Sequence, residues 1–414
     1  MTSPSTSLPA LTAPDRMLEQ VARRIGLAAA RRIRVGCLTV ILADGSRHVF
    51  GDRASERRGE IRFRDEAALV HMLLHGETGG GEAYVDGGWS SPDLPALLEL
   101  AALNREALSL SAGWWRVPAQ LRRTLAHRAR RNTPGGSRRN IAAHYDLGND
   151  FYRLFLDETL TYSCAVFESP EQSLADAQRN KYRLIAQGAG LAPGMHVLEI
   201  GAGWGGFALY AAGELGCRVT SITISAEQLE LARERVRAAG LQDRVDVQFR
   251  DYREISGTFD AIVSIEMLEA VGAEYYPTFF RVCDEALVPG GRLSLQTIAM
   301  RQDAYESQRR GANWIQQYIF PGGLLPSLTA IERATAGTHL LFDGVRDIAE
   351  NYVLTLRAWR NRFLENADRV RAMGFDERFI RMWEYYLSIS EAGFATGLSQ
   401  DYQIVLEKRR GIAV

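Results

Sequence analysis

The run His196-Val-Leu-Glu-Ile-Gly-Ala-Gly-Trp-Gly-Gly206 constrains the fold more than any other part of the chain. An apolar stretch ends in Gly201, Gly203 and Gly205, at alternate positions, and a helix-like segment follows from Phe207 to Leu215. Glycines let a strand turn sharply into a helix and let a ligand lie against bare backbone, while the helix start offers N–H groups without partners. The spacing G-x-G-x-G departs from the G-x-G-x-x-G of dinucleotide folds, which favours a nucleoside cofactor other than NAD.

Strand and helix signals alternate around this turn. The spacing predicts strands over His196–Ile200, Arg218–Ile224, Val245–Arg250, Phe259–Ile265 and Arg292–Ile298, with helices over Gly206–Leu215 and Ala226–Ala239. That rhythm implies an α/β fold, a mostly parallel sheet with helices on both faces, whose ligand lies at the carboxyl ends of the strands. Beyond Arg301 the pattern turns helical and aromatic-rich, and we expect a helical lid over about 301–390.

At 414 residues the chain exceeds one ordinary core, so two domains are expected. Residues 1–15 read as a disordered tail and 16–128 as a smaller α+β domain that binds lipid or forms a dimer. A basic linker follows over 129–140, and 141–414 form the α/β domain. In the first domain Arg34–Phe50 reads as a hairpin turning at Asp44-Gly45, and Glu60-Ile-Arg-Phe-Arg as a further strand. Leu69–Leu74 and Leu94–Leu103 read as amphipathic helices, with Gly79–Gly88 as a glycine-rich loop between them.

Charged residues make up 24% and hydrophobic ones 46%, a soluble balance, and the net charge of −1 excludes a general polyanion binder. Charge is uneven, however: Arg116–Asn140 holds eight arginines and no acid, headed by Trp114-Trp115. This fits docking on an anionic membrane surface, at roughly 1 kcal/mol per basic residue. Nucleic acid is the rival partner, without a supporting motif, and a solvated helix is the plain alternative. No stretch reaches the roughly 18 apolar residues of a spanning helix, and the N-terminus lacks the basic head and apolar core of a secretory signal. Cys37, Cys164, Cys217 and Cys283 form no C-x-x-C pair, which argues against zinc and against a disulfide framework. The expected location is cytoplasmic, peripheral at the inner face of the membrane, with no metal.

The second strand ends in Thr223-Ile-Ser-Ala-Glu-Gln228 and the third in Arg250-Asp-Tyr-Arg. Hydroxyls and Gln228 stand where such folds often place an acid for the ribose, and Asp251 stands where a polar group meets an adenine amine. Each alone is more often a turn or cap residue. In order on successive strands they favour a nucleoside pocket.

Glu199-Ile-Gly-Ala-Gly-Trp-Gly-Gly, Thr223-Ile-Ser-Ala-Glu-Gln and Asp251-Tyr resemble a class I S-adenosylmethionine-dependent methyltransferase. His144-Tyr-Asp-Leu-Gly-Asn-Asp-Phe-Tyr, Thr161-Tyr-Ser-Cys-Ala, Ser264-Ile-Glu-Met-Leu-Glu-Ala-Val-Gly and Tyr318-Ile-Phe-Pro-Gly-Gly-Leu-Leu-Pro-Ser narrow the resemblance to the cyclopropane fatty acid synthase family. Gly81-Glu-Ala-Tyr-Val-Asp-Gly is similar to its longer, phospholipid-modifying members. The resemblance implies methyl transfer from S-adenosylmethionine to a cis double bond of a phospholipid acyl chain, followed by loss of a proton and closure of a cyclopropane. It assigns the cofactor to Gly201, Gly203, Thr223, Gln228 and Asp251, together with Tyr162, Ser163, Ile224, Tyr252 and Ile265.

The resemblance also implies a bound bicarbonate as proton acceptor, cradled by the backbone at Cys164 and Ile298 and the side chains of Glu269 and Tyr352. Glu269 would orient it and make its outer oxygen more basic. Two residues depart from the family pattern: Ala270 stands where His is common, and Gln296 where a His ligand is common. Gln can donate a hydrogen bond as neutral His does. The change widens the products, because proton loss from a neighbouring carbon gives a methylene branch. Cys164 has no base near it in sequence and alkene methylation needs no covalent intermediate; His144 reads as part of the cofactor lid. Aromatic faces such as Trp314, Tyr318 and Trp359 are candidates to stabilise a carbocation, though most such residues are core. A homodimer is expected. The competing readings are a methyltransferase of a small soluble molecule and a lipid-binding regulator without activity.

Overall fold

The computed structural model describes residues 16–108, 147–308 and 313–409. The tail, the linker, the arginine-rich run with its two tryptophans, and His144 lie outside them. The chain forms two compact units. One comprises Met1–His127, Arg310–Ile319 and Trp359–Gly397, the other Arg128–Arg309, Phe320–Ala358 and Leu398–Val414. The expected lid is therefore divided: 310–319 and 359–397 group with the N-terminal residues.

In the first unit, helix α1 (Arg16–Ala30) precedes β1 (Cys37–Ile41) and β2 (Arg47–Gly51), the predicted hairpin. Then come β3 (Arg58–Phe63), α2 (Glu66–Val85), β4 (Trp89–Ser90) and α3 (Leu94–Leu103). The four strands lie in the order β2-β1-β3-β4, with β1 and β3 parallel. Asp65 and Asp93 cap α2 and α3 by accepting from the amides of Ala68 and Ala96. The expected glycine-rich loop is instead helix, since α2 continues through Gly79–Gly81 after a kink at Gly76. Gly79 and Gly81 serve close approach rather than turning. A Cβ on Gly81 would stand 2.6 Å from the Trp314 indole nitrogen and 2.7 Å from the Tyr385 ring.

The second unit holds α4 (Leu174–Gly188), β5 (His196–Ile200), α5 (Gly206–Gly213), β6 (Arg218–Thr223), α6 (Ala226–Ala238), β7 (Val245–Phe249) and β8 (Phe259–Ile265). It continues with α7 (Tyr276–Ala286), β9 (Leu287–Met300), α8 (Leu328–Thr335), β10 (Leu340–Asp347), the start of α9 (Ala349–Glu365) and, after α10 (Glu377–Ala395), β11 (Ser399–Lys408). The seven strands run β10-β11-β9-β8-β5-β6-β7, all in one direction except β11, which pairs antiparallel with both β9 and β10. All five predicted strands are present. The last two strands fall in the stretch read as helical.

Side chains alternate across this sheet with the period of two that a strand imposes. Val197, Val219, Val247 and Val263 pack with Phe207, Ala208 and Ala211 on one face. Leu198, Ile262, Leu295 and Ile404 pack with Phe279 and Phe280 on the other. The chain leaves β5 toward β6 and β7, then returns to place β8 on β5's other side. That reversal opens a crevice at the carboxyl end of β5, where the glycine turn lies.

Candidate active site

The turn after β5 holds Gly201 at φ 98°, Gly203 at φ 50° and Gly205 at φ 82°. This left-handed backbone is costly for residues with a Cβ. A Cβ on Gly203 would meet no protein atom within 4 Å, so conformation and not crowding requires glycine there. Gly205 starts α5 without a side-chain cap, leaving its first amides available to a ligand. Trp204 turns away, its indole donating to the Asn149 side chain at 2.7 Å.

The neighbouring strand ends are more committed than the sequence suggests. Thr223 Oγ1 donates to Gln228 Oε1 at 2.9 Å, and Ser225 caps α6 through the Gln228 amide. Asp251 is buried against Arg253, whose Nε and Nη2 donate to its two oxygens at 2.8 and 2.7 Å, so the side chain expected to read an adenine amine is already an ion-pair partner. Tyr252 beside it has a buried hydroxyl with no hydrogen-bond partner among the described residues, and burial pushes it up to about 12. Ile224 and Ile265 are half-buried at their strand ends, and Tyr162 packs its ring near Tyr152 and Phe155. Ser163 is committed elsewhere, its hydroxyl accepting from Lys181 Nζ at 2.7 Å. Free backbone over Gly203, an uncapped helix start and an unpartnered buried hydroxyl fit a nucleoside-bearing methyl donor.

A cluster of carboxyls lies behind this turn, at the ends of β8 and β9. Glu266, immediately after β8, adopts φ 48°, and only Leu160 shares this positive φ among described non-glycine residues. Its amide donates to the Gln296 carbonyl at 2.8 Å. Its Oε1 accepts from the Cys164 amide at 2.7 Å and from Gln296 Nε2 at 2.9 Å, and its Oε2 accepts from the Tyr352 hydroxyl at 2.6 Å. Gln296 Nε2 also reaches Asp401 Oδ2 and the Cys164 carbonyl, each at 3.3 Å, and Gln403 fixes the Gln296 carbonyl at 3.2 Å.

Glu269 is bound differently. Its Oε1 accepts from the Ile298 amide at 2.5 Å and from Thr297 Oγ1 at 2.9 Å, while its Oε2 is buried without a partner. Burial, then the charge of Glu266, raises its carboxyl to about 8. Asp401 is fully buried on β11, and burial with the two glutamates drives it well above the carboxylate range. Lys181, equally buried on α4, is lowered to about 8 by desolvation, against the pull of Glu266, Cys164 and Asp401. The Cys164 thiol is buried and pushed well up, by desolvation first, which suits an inert thiol.

Cys164, Gln296 and Tyr352, expected around bicarbonate, thus converge on one group, and Ile298 serves Glu269. The group at the centre is the Glu266 carboxylate, which the sequence reading passed over. The cradle therefore does not fit a bicarbonate: the donors that would hold it are spent on a side chain of the protein itself. Lys181 and Asp401 were missed as well. Glu266 was legible as a charge ending an apolar strand, and Lys181 as a cation in line with Ala177 and Ile185 on the buried face of α4.

A glycine turn at the switch point of a mostly parallel sheet places the chain in the class I methyltransferase fold. The crystal structure of mycolic acid cyclopropane synthase CmaA1 complexed with SAH and CTAB has a TM-score of 0.61 and 30% identity, covering 66% of this chain and 98% of that one. The chain belongs to the mycolic acid cyclopropane synthetase family, whose model matches residues 133–404. It is similar to tuberculostearic acid methyltransferase UfaA1 of Mycobacterium tuberculosis, 43% identical over 89% of this chain and 87% of that protein. It is also similar to the cyclopropane-fatty-acyl-phospholipid synthase of Escherichia coli, 35% identical over 84% of this chain and 88% of that protein. The protein is an S-adenosylmethionine-dependent methyltransferase.

Proposed function

We propose that the protein methylates a cis double bond in an acyl chain of a membrane phospholipid and, after loss of a proton, closes a cyclopropane. The observation that carries this reading is the cluster of half-buried Glu266 and Glu269 with fully buried Asp401 behind the glycine turn. A carbocation formed on the acyl chain needs a dry site and an anionic group to receive a proton. Bound S-adenosylmethionine would supply an electrophilic methyl group, held by the backbone at Gly201 and Gly203 and the start of α5. Tyr352 and the Cys164 amide hold Glu266 in place, and the Ile298 amide with Thr297 holds Glu269.

The similarity to the tuberculostearic acid enzyme, at higher identity than to the cyclopropane synthase, favours a second product. In that course a hydride shift moves the cation onto the methylated carbon before the transferred methyl loses its proton, giving a methylene branch, or a chain carbon loses the proton, giving a methyl-branched alkene. Both readings share substrate and first step.

Approach to a lipid surface is supported by α1, which exposes Met17, Leu18, Val21 and Ile25 beside the exposed Arg16, Arg24 and Arg31. The arginine-rich run would add to this attraction, and we propose a peripheral association at the cytoplasmic face and a homodimer. No helix among the described residues is long and apolar enough to cross a membrane. The test is release of S-adenosylhomocysteine with vesicles of oleoyl-phospholipid and, separately, of the saturated stearoyl lipid. Release with oleoyl lipid alone is expected; equal release with both refutes the double bond as acceptor.

A further inference from the structure

The site holds a carboxylate of its own where an exchangeable anion was expected. We propose that Glu266, held by the Cys164 amide, the Tyr352 hydroxyl and the Gln296 amide, is itself the acceptor of the proton released in the reaction, so that turnover needs no dissolved bicarbonate. The inference rests on the acyl-methylation reading and adds to it the identity of the base.

Three features carry it. Both oxygens of Glu266 are engaged by donors and no described contact gives it a proton to donate, the pattern of an anionic acceptor. Its backbone is held in the left-handed region, costly for a residue with a Cβ, and such strain persists where a structure requires one placement of a side chain. Finally, Glu266 is half-buried whereas Asp401 is completely buried, so of the two carboxyls bridged by Gln296 only Glu266 can meet a substrate.

The groups facing Glu266 fix its state. Asp401 and Glu269 lie near it, Lys181 is the adjacent cation, and the Cys164 thiol is neutral. One lysine faces three carboxyls. Burial raises both Asp401 and Glu269, which keep their protons at neutral pH, whereas Glu266 is the member with donors on both oxygens.

The chemistry balances without a further reactant. The alkene's electron pair bonds to the incoming methyl carbon as the carbon–sulfur bond breaks, its electrons staying on sulfur, which leaves a carbocation on the acyl chain. A C–H bond of the transferred carbon then breaks. Its electron pair closes the ring onto the cationic carbon, and the proton bonds to a Glu266 oxygen. The neutral acid returns that proton to water after product leaves.

The test uses the full chain with S-adenosylmethionine and oleoyl-phospholipid vesicles, in buffer sparged free of carbon dioxide and then supplemented with bicarbonate. We expect turnover to differ by less than about twofold between the two, whereas removal of a true general base costs about 10²-fold or more. Glu266→Gln should lose about 10²-fold or more in kcat with unchanged S-adenosylhomocysteine affinity. Asp401→Asn, which mimics a neutral acid, should lose less than about tenfold. Glu266→Gly, which frees the three donors, should be inactive in depleted buffer and recover with bicarbonate. Dependence of the natural protein on bicarbonate, full activity of Glu266→Gln, or a larger loss in Asp401→Asn would each overturn the assignment. A natural protein that modifies no acyl chain under any condition would sink the acyl-methylation reading and this one with it, whereas product formation that merely requires bicarbonate sinks only this one.

Discussion

Glu199, two residues before the glycine turn, makes folding of the second unit depend on pH. It is 3% exposed, and its Oε2 accepts from the Ser221 hydroxyl. Burial raises its carboxyl from the ordinary 4.5 to about 8, against the opposing effects of Ser221 and the Lys181 charge. A carboxyl raised on folding stabilises the folded state fully below its unfolded value and loses that contribution as pH rises through the folded one. At 1.36 kcal/mol per pH unit, ionising Glu199 across this interval removes about 5 kcal/mol. About 2 kcal/mol of it falls between pH 6 and pH 8. In Glu199→Gln the Ser221 bond keeps a carbonyl acceptor and the titration disappears. Urea unfolding of both proteins at half-unit steps from pH 5 to pH 9, without cofactor, measures the difference. The natural protein should lose about 2 kcal/mol more than the variant between pH 6 and pH 8. Parallel curves would refute the reasoning, because Glu199 would then share one protonation state in both folded and unfolded chains.

Three further outcomes follow from the site. Gly203→Val places a β-branched residue at φ 50° on the free backbone of the turn, and should abolish S-adenosylhomocysteine binding by calorimetry while the protein stays folded; unchanged affinity would contradict the pocket. Tyr352→Phe removes the hydroxyl that donates to Glu266 Oε2, and should lower kcat by about 10- to 100-fold, the worth of a hydrogen bond to a charged group, without weakening cofactor binding. Cys164→Ala keeps the backbone amide that serves Glu266 and should hold kcat within about threefold; a loss of several orders of magnitude would make the thiol a nucleophile after all.

Much of the second unit was legible because its strands obey simple rules. Val197, Leu198 and Ile200 lead directly into the glycines, and Ala261, Ile262 and Val263 form an apolar run of their own. β10 and β11 escaped because their sequences do not alternate cleanly: β10 buries only Leu340, and β11 buries Asp401 and Gln403 beside Ile404. Gly79–Gly81 misled in the other direction, since three glycines signal a loop unless one knows that Trp314 and Tyr385 pack onto Gly81 and His71 and His75 onto Gly79. In the site, the residues flanking the anion position were legible individually. That Glu266 fills the position was not. Its role depends on a left-handed φ and on donors at positions 164, 296 and 352, which sequence separation hides.

The central claim is that carbon from S-adenosylmethionine enters an acyl double bond. Gas chromatography–mass spectrometry of the acyl chains, after incubation with labelled S-adenosylmethionine and oleoyl-phospholipid vesicles, tests it most directly. The account predicts a labelled chain heavier by one methylene group that has lost its alkene, the ring product; a labelled chain that keeps an alkene would select the branched product. Oleoyl chains that gain neither mass nor label would contradict the account.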